Sequence, residues 1–136
     1  MKLALYKGRG NLGNALIRWW TKSPYSHCEL VIGEIWYSSS VRDGGVRAKR
    51  LEPNPAHWDY IELPWADAEQ VQWYFRSTQG EPYGWLDLIK RQVFNRPGND
   101  FGAFCSEWCA EALGLPTPQQ YSPGTLGEYC EGRTVA

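Results

Sequence analysis

The stretch Ser26-His27-Cys28-Glu29-Leu30-Val31-Ile32-Gly33-Glu34-Ile35-Trp36-Tyr37-Ser38-Ser39-Ser40 decides the reading of the fold. Ser26 to Ile32 reads as a strand, Gly33-Glu34 as a hairpin turn, and Ile35 to Ser40 as the returning strand. Working toward the C-terminus, Asp43-Gly44-Gly45 signals another turn. Val46 to Leu51 and Trp58 to Leu63 then continue as strands around a loop holding Pro53 and Pro55. This spacing predicts a meander of antiparallel strands. Upstream, Lys2 to Lys7 predicts a short strand. Gly8-Arg9-Gly10-Asn11 turns the chain into a helix over Leu12 to Thr21, stopped at Ser23-Pro24 because the residue before proline is pushed out of helical geometry.

Helical patterning dominates the rest. Asp67, with Gln70 three positions on, resembles a capping box, and Val71, Tyr74, Phe75 and Thr78 share one face of the helix it opens. A further helix is expected from about Gly84 to Val93, followed by an exposed loop over Asn95 to Asp100. Another helix is expected from near Cys105 to Leu113, with Gly114 as its terminator and Pro116 beyond. The tail from Thr117, broken by prolines and glycines, gives no clear pattern. Strands segregated from helices predict an α+β protein with a small antiparallel sheet packed against helices. With 136 residues and no break in composition, residues 1–136 are expected to form a single domain.

Composition removes several function classes. Lys plus Arg number 14 against 15 Asp plus Glu, a balance that offers no broad attraction for nucleic acid or anionic membrane. Arg47, Lys49 and Arg50 form one short basic run, read as a solvated strand edge. The first twenty residues hold no run of seven or more apolar residues, so neither a signal peptide nor a membrane span is expected, and the chain is expected to stay in the cytoplasm. In a reducing compartment the four cysteines, Cys28, Cys105, Cys109 and Cys130, are expected as free thiols. The sequence has no C-x-x-C or H-x-x-x-H pair, no phosphate-cradling glycine motif and no G-x-S-x-G elbow.

Histidine is the side chain best suited to move a proton near neutral pH, and only His27 and His57 are available. His27 opens a strand, where its ring can stand at the rim of a sheet; His57 follows Pro55-Ala56 in a loop. Cys105 falls in the first turn of its helix, where free N–H groups and the helix dipole favour a thiolate. The same residue also belongs to an apolar stripe with Trp108, Cys109, Ala112 and Leu113, so taken without His27 it reads as core rather than catalyst.

Four segments in order tip that balance. They are Ser26-His27-Cys28-Glu29-Leu30-Val31-Ile32, then Gly44-Gly45-Val46-Arg47, then Gly80-Glu81-Pro82-Tyr83-Gly84-Trp85, then Phe104-Cys105-Ser106-Glu107-Trp108. Together they resemble the circularly permuted NlpC-type papain-like family, which includes the YiiX-like proteins and in which the histidine strand precedes the cysteine helix, the reverse of papain. The resemblance spans roughly residues 24 to 116. It implies a barrel-like sheet and a site with Cys105 as nucleophile, His27 as base and the Cys105 backbone N–H at the oxyanion. It implies that Tyr83 lines the cleft, with Tyr25, Ser38 and Ser106 as further substrate-side candidates.

In that family a Glu, His, Asn or Gln on the next strand orients the imidazole; here the Ser38-Ser39-Ser40 run falls there, which makes Ser39 the candidate. Glu29 is the alternative, since residues two apart on a strand share a face with each other. The activity implied is a cysteine amidase or peptidase that cleaves a small peptide or isopeptide bond through a thioester and needs no cofactor. Cell-wall peptides are the substrate class the resemblance suggests, and phage or prophage members are its nearest likeness. An acyltransferase or thioesterase acting on a lipid acyl group, and a degenerate module that binds without turnover, are the alternatives.

Overall fold

The computed structural model describes residues 1–8, 25–40, 45–79 and 102–135. Five strands form one antiparallel sheet: β1 (Lys2–Tyr6), β2 (His27–Ile32), β3 (Ile35–Ser40), β4 (Gly45–Arg50) and β5 (Trp58–Glu62), in the order β4-β3-β2-β1-β5. Three α-helices accompany it: α1 (Ala68–Thr78), α2 (Gly102–Ala112) and α3 (Pro123–Val135). The architecture is α+β. No helix among the described residues is long and apolar enough to cross a membrane.

The β2–β3 hairpin forms as its sequence predicts, with Ile32 opposite Ile35 and Gly33 at φ 62 in the tight turn, a backbone region that costs glycine nothing. β4 continues the meander, but β5 does not. After the loop and a 3₁₀ turn at Pro55–His57, the chain crosses the sheet and β5 pairs with β1 from the other side, Lys2 opposite Glu62 and Tyr6 opposite Trp58. β1, whose Leu3, Ala4 and Leu5 are all buried, is thereby a central strand with β2 on one edge and β5 on the other. Among the described residues β4 and β5 each pair on one side only, so the sheet is open where a barrel-like closure was expected. Strands of five or six residues ending in two such edges do not close on themselves.

Alternation along the strands splits the sheet into two apolar faces. Leu3, Leu5, Cys28, Leu30 and Tyr37 face the helices and pack with Val71, Cys105, Trp108, Cys109, Leu126 and Cys130. Ala4, Val31 and Trp36 form a smaller cluster on the other face with Leu51 and Trp58, where the Trp36 and Trp58 rings meet edge-on at 4.9 Å.

α1 starts where Asp67 predicts, its carboxylate accepting from the N–H groups of Glu69 (2.9 Å) and Gln70 (3.4 Å). Gln70 does not complete a capping box. Its side-chain amide donates instead to the Ala112 carbonyl at 3.3 Å, which ties α1 to the end of α2. The predicted face is used as expected: Val71 is buried, Phe75 stacks edge-on against Tyr37 at 5.2 Å, and Thr78 accepts from the Trp108 indole at 3.1 Å.

α2 begins at Gly102, three residues earlier than the expected start near Cys105, and packs chiefly on β2 and β3. It ends in a Schellman motif: Gly114 sits at φ 75, Gly114 N–H donates to Glu111 O and Leu115 N–H to Ala110 O, each at 3.0 Å. α3, in the tail where no pattern was legible, is opened by Ser122. The Ser122 hydroxyl accepts from Thr125 N–H at 3.2 Å while Thr125 Oγ1 accepts from Ser122 N–H at 2.8 Å. Gly127 has a packing purpose, since a Cβ there would stand 2.7 Å from Leu5 Cδ1, inside the α3–β1 contact. The helices expected over Leu12 to Thr21 and Gly84 to Val93, and the loop at Asn95 to Asp100, lie outside the described residues.

Candidate active site

The first turn of α2 abuts the start of β2, and this places Cys105 against His27 and Cys28. The Cys28 backbone N–H donates to Cys105 Sγ at 3.4 Å, and the two sulfurs stand 3.7 Å apart. The His27 ring is a hydrogen-bonding partner of the same sulfur. Two side chains 78 positions apart in the chain thus meet at one end of the sheet. His27 is 22 % exposed, whereas Cys105 is buried.

The far side of the ring is held by a carboxylate. His27 Nε2 lies 2.9 Å from Glu29 Oε2. Glu29 shares the His27 face of β2, as period-two alternation requires. Arg47 reaches it from β4, two strands away. Register places Arg47 opposite Ser38 on this same face, and its guanidinium grips Glu29 end-on, Nη1 to Oε1 and Nη2 to Oε2, while also donating to the Trp36 carbonyl at 3.2 Å. The result is a continuous array from guanidinium to carboxylate to imidazole to sulfur.

Charge follows this geometry. Burial alone would push the Cys105 thiol up; the hydrogen bond from Cys28, the positive His27 ring beside it and the Cys28 N–H outweigh burial and bring it down to about 5. Burial likewise disfavours a charged His27, but the adjacent thiolate and the Glu29 carboxylate hold its proton, raising it to about 10. Burial raises Glu29 as well, and the Arg47 and His27 hydrogen bonds prevail, so its carboxyl stays below the usual range. Both shifts run in the direction that favours the thiolate–imidazolium form of the pair over the neutral one. Cys28 moves the other way: burial and its thiolate neighbour keep it a thiol, well above its ordinary value.

The remaining sequence candidates occupy other positions. Glu29, and not Ser39, accepts at the imidazole; Ser39 is buried on β3 opposite Val46, on the strand face it shares with Tyr37. The physical reason is reach, because the carboxylate two residues along β2 already fills the place at Nε2. Ser38 is buried and its hydroxyl donates to the Cys28 carbonyl at 2.8 Å, so it braces the strand under the site. Ser106 is buried and donates to the Tyr121 carbonyl at 2.6 Å, joining α2 to the segment before α3. Tyr25 donates to Asp59, which also accepts from Lys7 at 2.8 Å; burial and that hydrogen bond push the phenol up to about 12. Tyr83 lies outside the described residues.

Two residues of the site escaped the sequence reading. In the sequence, Arg47 belongs to a short basic run that reads as a solvated strand edge, and only the strand register reveals its place. Ser26, directly before His27, is 2 % exposed, and its hydroxyl is the one buried side-chain polar atom without a partner among the described residues. Among the described residues no group of three or more His, Cys, Asp or Glu is arranged to hold a metal ion. Comparison with protein-family models, with curated proteins and with solved structures finds no match to the chain.

Proposed function

We propose that this chain is a cysteine hydrolase, an amidase or peptidase of the permuted papain-like type, with Cys105 as nucleophile, His27 as its acid–base partner and Glu29 as the orienting carboxylate. The observation that carries the reading is the His27 ring held between the Cys105 sulfur and the Glu29 carboxylate. In this mechanism the thiolate attacks the carbonyl carbon, the imidazolium gives its proton to the departing amine, and water activated by the neutral ring hydrolyses the thioester. A small peptide or isopeptide bond is the substrate class, with cell-wall peptides suggested by the sequence resemblance.

Iodoacetamide at mildly acidic pH tests the reading. Cys105 should alkylate well ahead of Cys28, Cys109 and Cys130, and substitution His27→Ala should abolish that lead. Trapping the acyl enzyme and weighing the adduct identifies the acyl group; a fatty chain on Cys105 would redirect the proposal to a thioesterase or acyltransferase. One observation favours a module that binds without turnover, namely the complete burial of the Cys105 side chain. That reading predicts equal, slow alkylation of all four thiols.

A further inference from the structure

All four cysteines are buried free thiols of one apolar cluster, yet two of them stand in a special relation. Cys28 projects from β2 toward the helices, and its thiol is directed at the Cys105 sulfur from 3.7 Å, with the strand's own N–H on that sulfur as well. A disulfide requires about 2.0 Å between sulfurs, so the pair needs to close by less than one bond length through side-chain rotation. The hydrolytic mechanism gives the Cys28 thiol no covalent role; there it serves only as a hydrogen-bond donor to the Cys105 sulfur.

We propose that Cys28 and Cys105 form a redox modification site, in which a hydroperoxide oxidises Cys105 and Cys28 closes on it as a reversible disulfide that silences the nucleophile. The inference rests on the reading of Cys105 as an activated thiolate. In the first step the Cys105 thiolate attacks one oxygen of hydrogen peroxide and the O–O bond breaks. The imidazolium proton of His27 goes to the departing hydroxide, leaving Cys105 as a sulfenic acid and releasing water. In the second step the Cys28 sulfur attacks the sulfenic sulfur, the S–O bond breaks, and the Cys28 proton leaves with the hydroxyl as a second water. The two sulfurs together are oxidised by two electrons and the peroxide is reduced by two. A dithiol restores both thiols.

Selectivity follows from the surroundings. Only a thiolate reacts readily with peroxide, and Cys105 alone among these thiols has an imidazolium beside it. Cys28, kept protonated, is the resolving partner. Cys109 is the rival resolver, since it lies one turn further along α2 with its thiol directed at the Cys28 carbonyl at 3.9 Å.

The test treats the full-length wild type with hydrogen peroxide, blocks remaining thiols with an alkylating agent and maps non-reduced peptides by mass spectrometry. The expected result is loss of two hydrogens from the intact protein, a cross-linked peptide joining Cys28 to Cys105, and full reversal by dithiothreitol. In the Cys28→Ser variant the same dose should carry Cys105 on to the sulfinic acid, a gain of two oxygens. A cross-link from Cys105 to Cys109, or from Cys28 to Cys109, overturns the proposal. So does a wild type in which Cys105 reaches the sulfinic acid, or stays unoxidised, while Cys28 remains a free thiol. Alkylation of a separate aliquot kept free of peroxide distinguishes the two readings: fast labelling of Cys105 there, with no cross-link in the peroxide-treated aliquot, sinks the disulfide alone, and slow labelling of all four thiols sinks the activated thiolate.

Discussion

Replacing Glu29 by glutamine removes one charge from the centre of the array while leaving its shape nearly unchanged. Glu29 is 2 % exposed, accepts from His27 at 2.9 Å and is gripped through both oxygens by Arg47, itself only 14 % exposed. Two losses follow. A hydrogen bond between charged partners contributes about 1.5–3 kcal/mol, so the imidazolium, and the thiolate that depends on it, should weaken by roughly 10- to 100-fold in Cys105 alkylation at mildly acidic pH. Arg47, nearly buried, also loses its carboxylate partner, which costs about 3–5 kcal/mol of folding stability, a large share of what a domain of this size holds. The double variant Glu29→Gln with Arg47→Met separates these effects. It should recover much of the stability in a urea titration, because the nearly buried charge is gone, yet keep the slow alkylation, because the ring still lacks its carboxylate. If Glu29→Gln folds and Cys105 alkylates at the wild-type rate, the carboxylate does not orient His27 and the assignment of the third member is wrong.

Hydrolysis should follow a bell-shaped pH profile. Activity should rise as pH climbs through about 5, where the Cys105 thiolate forms, and fall as pH climbs through about 10, where His27 loses the proton that the leaving amine needs. A single limb rising near the ordinary thiol range of about 8.5 would refute the paired state. Substitution Ser26→Ala should leave the thermal midpoint unchanged or slightly higher, since a buried hydroxyl without a partner costs about 1–3 kcal/mol of desolvation; a clear drop in the midpoint would show that the hydroxyl has a structural partner.

The reach of the sequence can be judged residue by residue. The scarcity of histidine and the position of Cys105 near the head of a helix single out the pair whose meeting the fold brings about, because both signals are local and chemical. Glu29 stood in the sequence as an alternative, since i and i+2 on a strand share a face by geometry alone. Arg47 did not: its partner lies two strands away, and register across β3 is a tertiary fact that a short basic run cannot disclose. The order of the sheet was hidden in the same way. A meander is the default for consecutive strands, and the pairing of β5 with the far edge of β1 is likewise a tertiary fact. α3 was masked by Gly124, Gly127 and Gly132, residues that weaken local helix preference, although Ser122 and Pro123 carry the start signal. At Gly127 that weakness serves close packing against Leu5.

The most direct test reads the ionisation of Cys105 itself, without requiring any reagent to reach a buried sulfur. The ultraviolet absorbance of the thiolate, taken as wild type minus Cys105→Ser across a pH titration, isolates this one group. A difference signal that appears as pH rises through about 5 and persists at neutrality is the predicted result. A signal absent at neutral pH and emerging only in the alkaline range would mean that the sulfur beside His27 is an ordinary buried thiol.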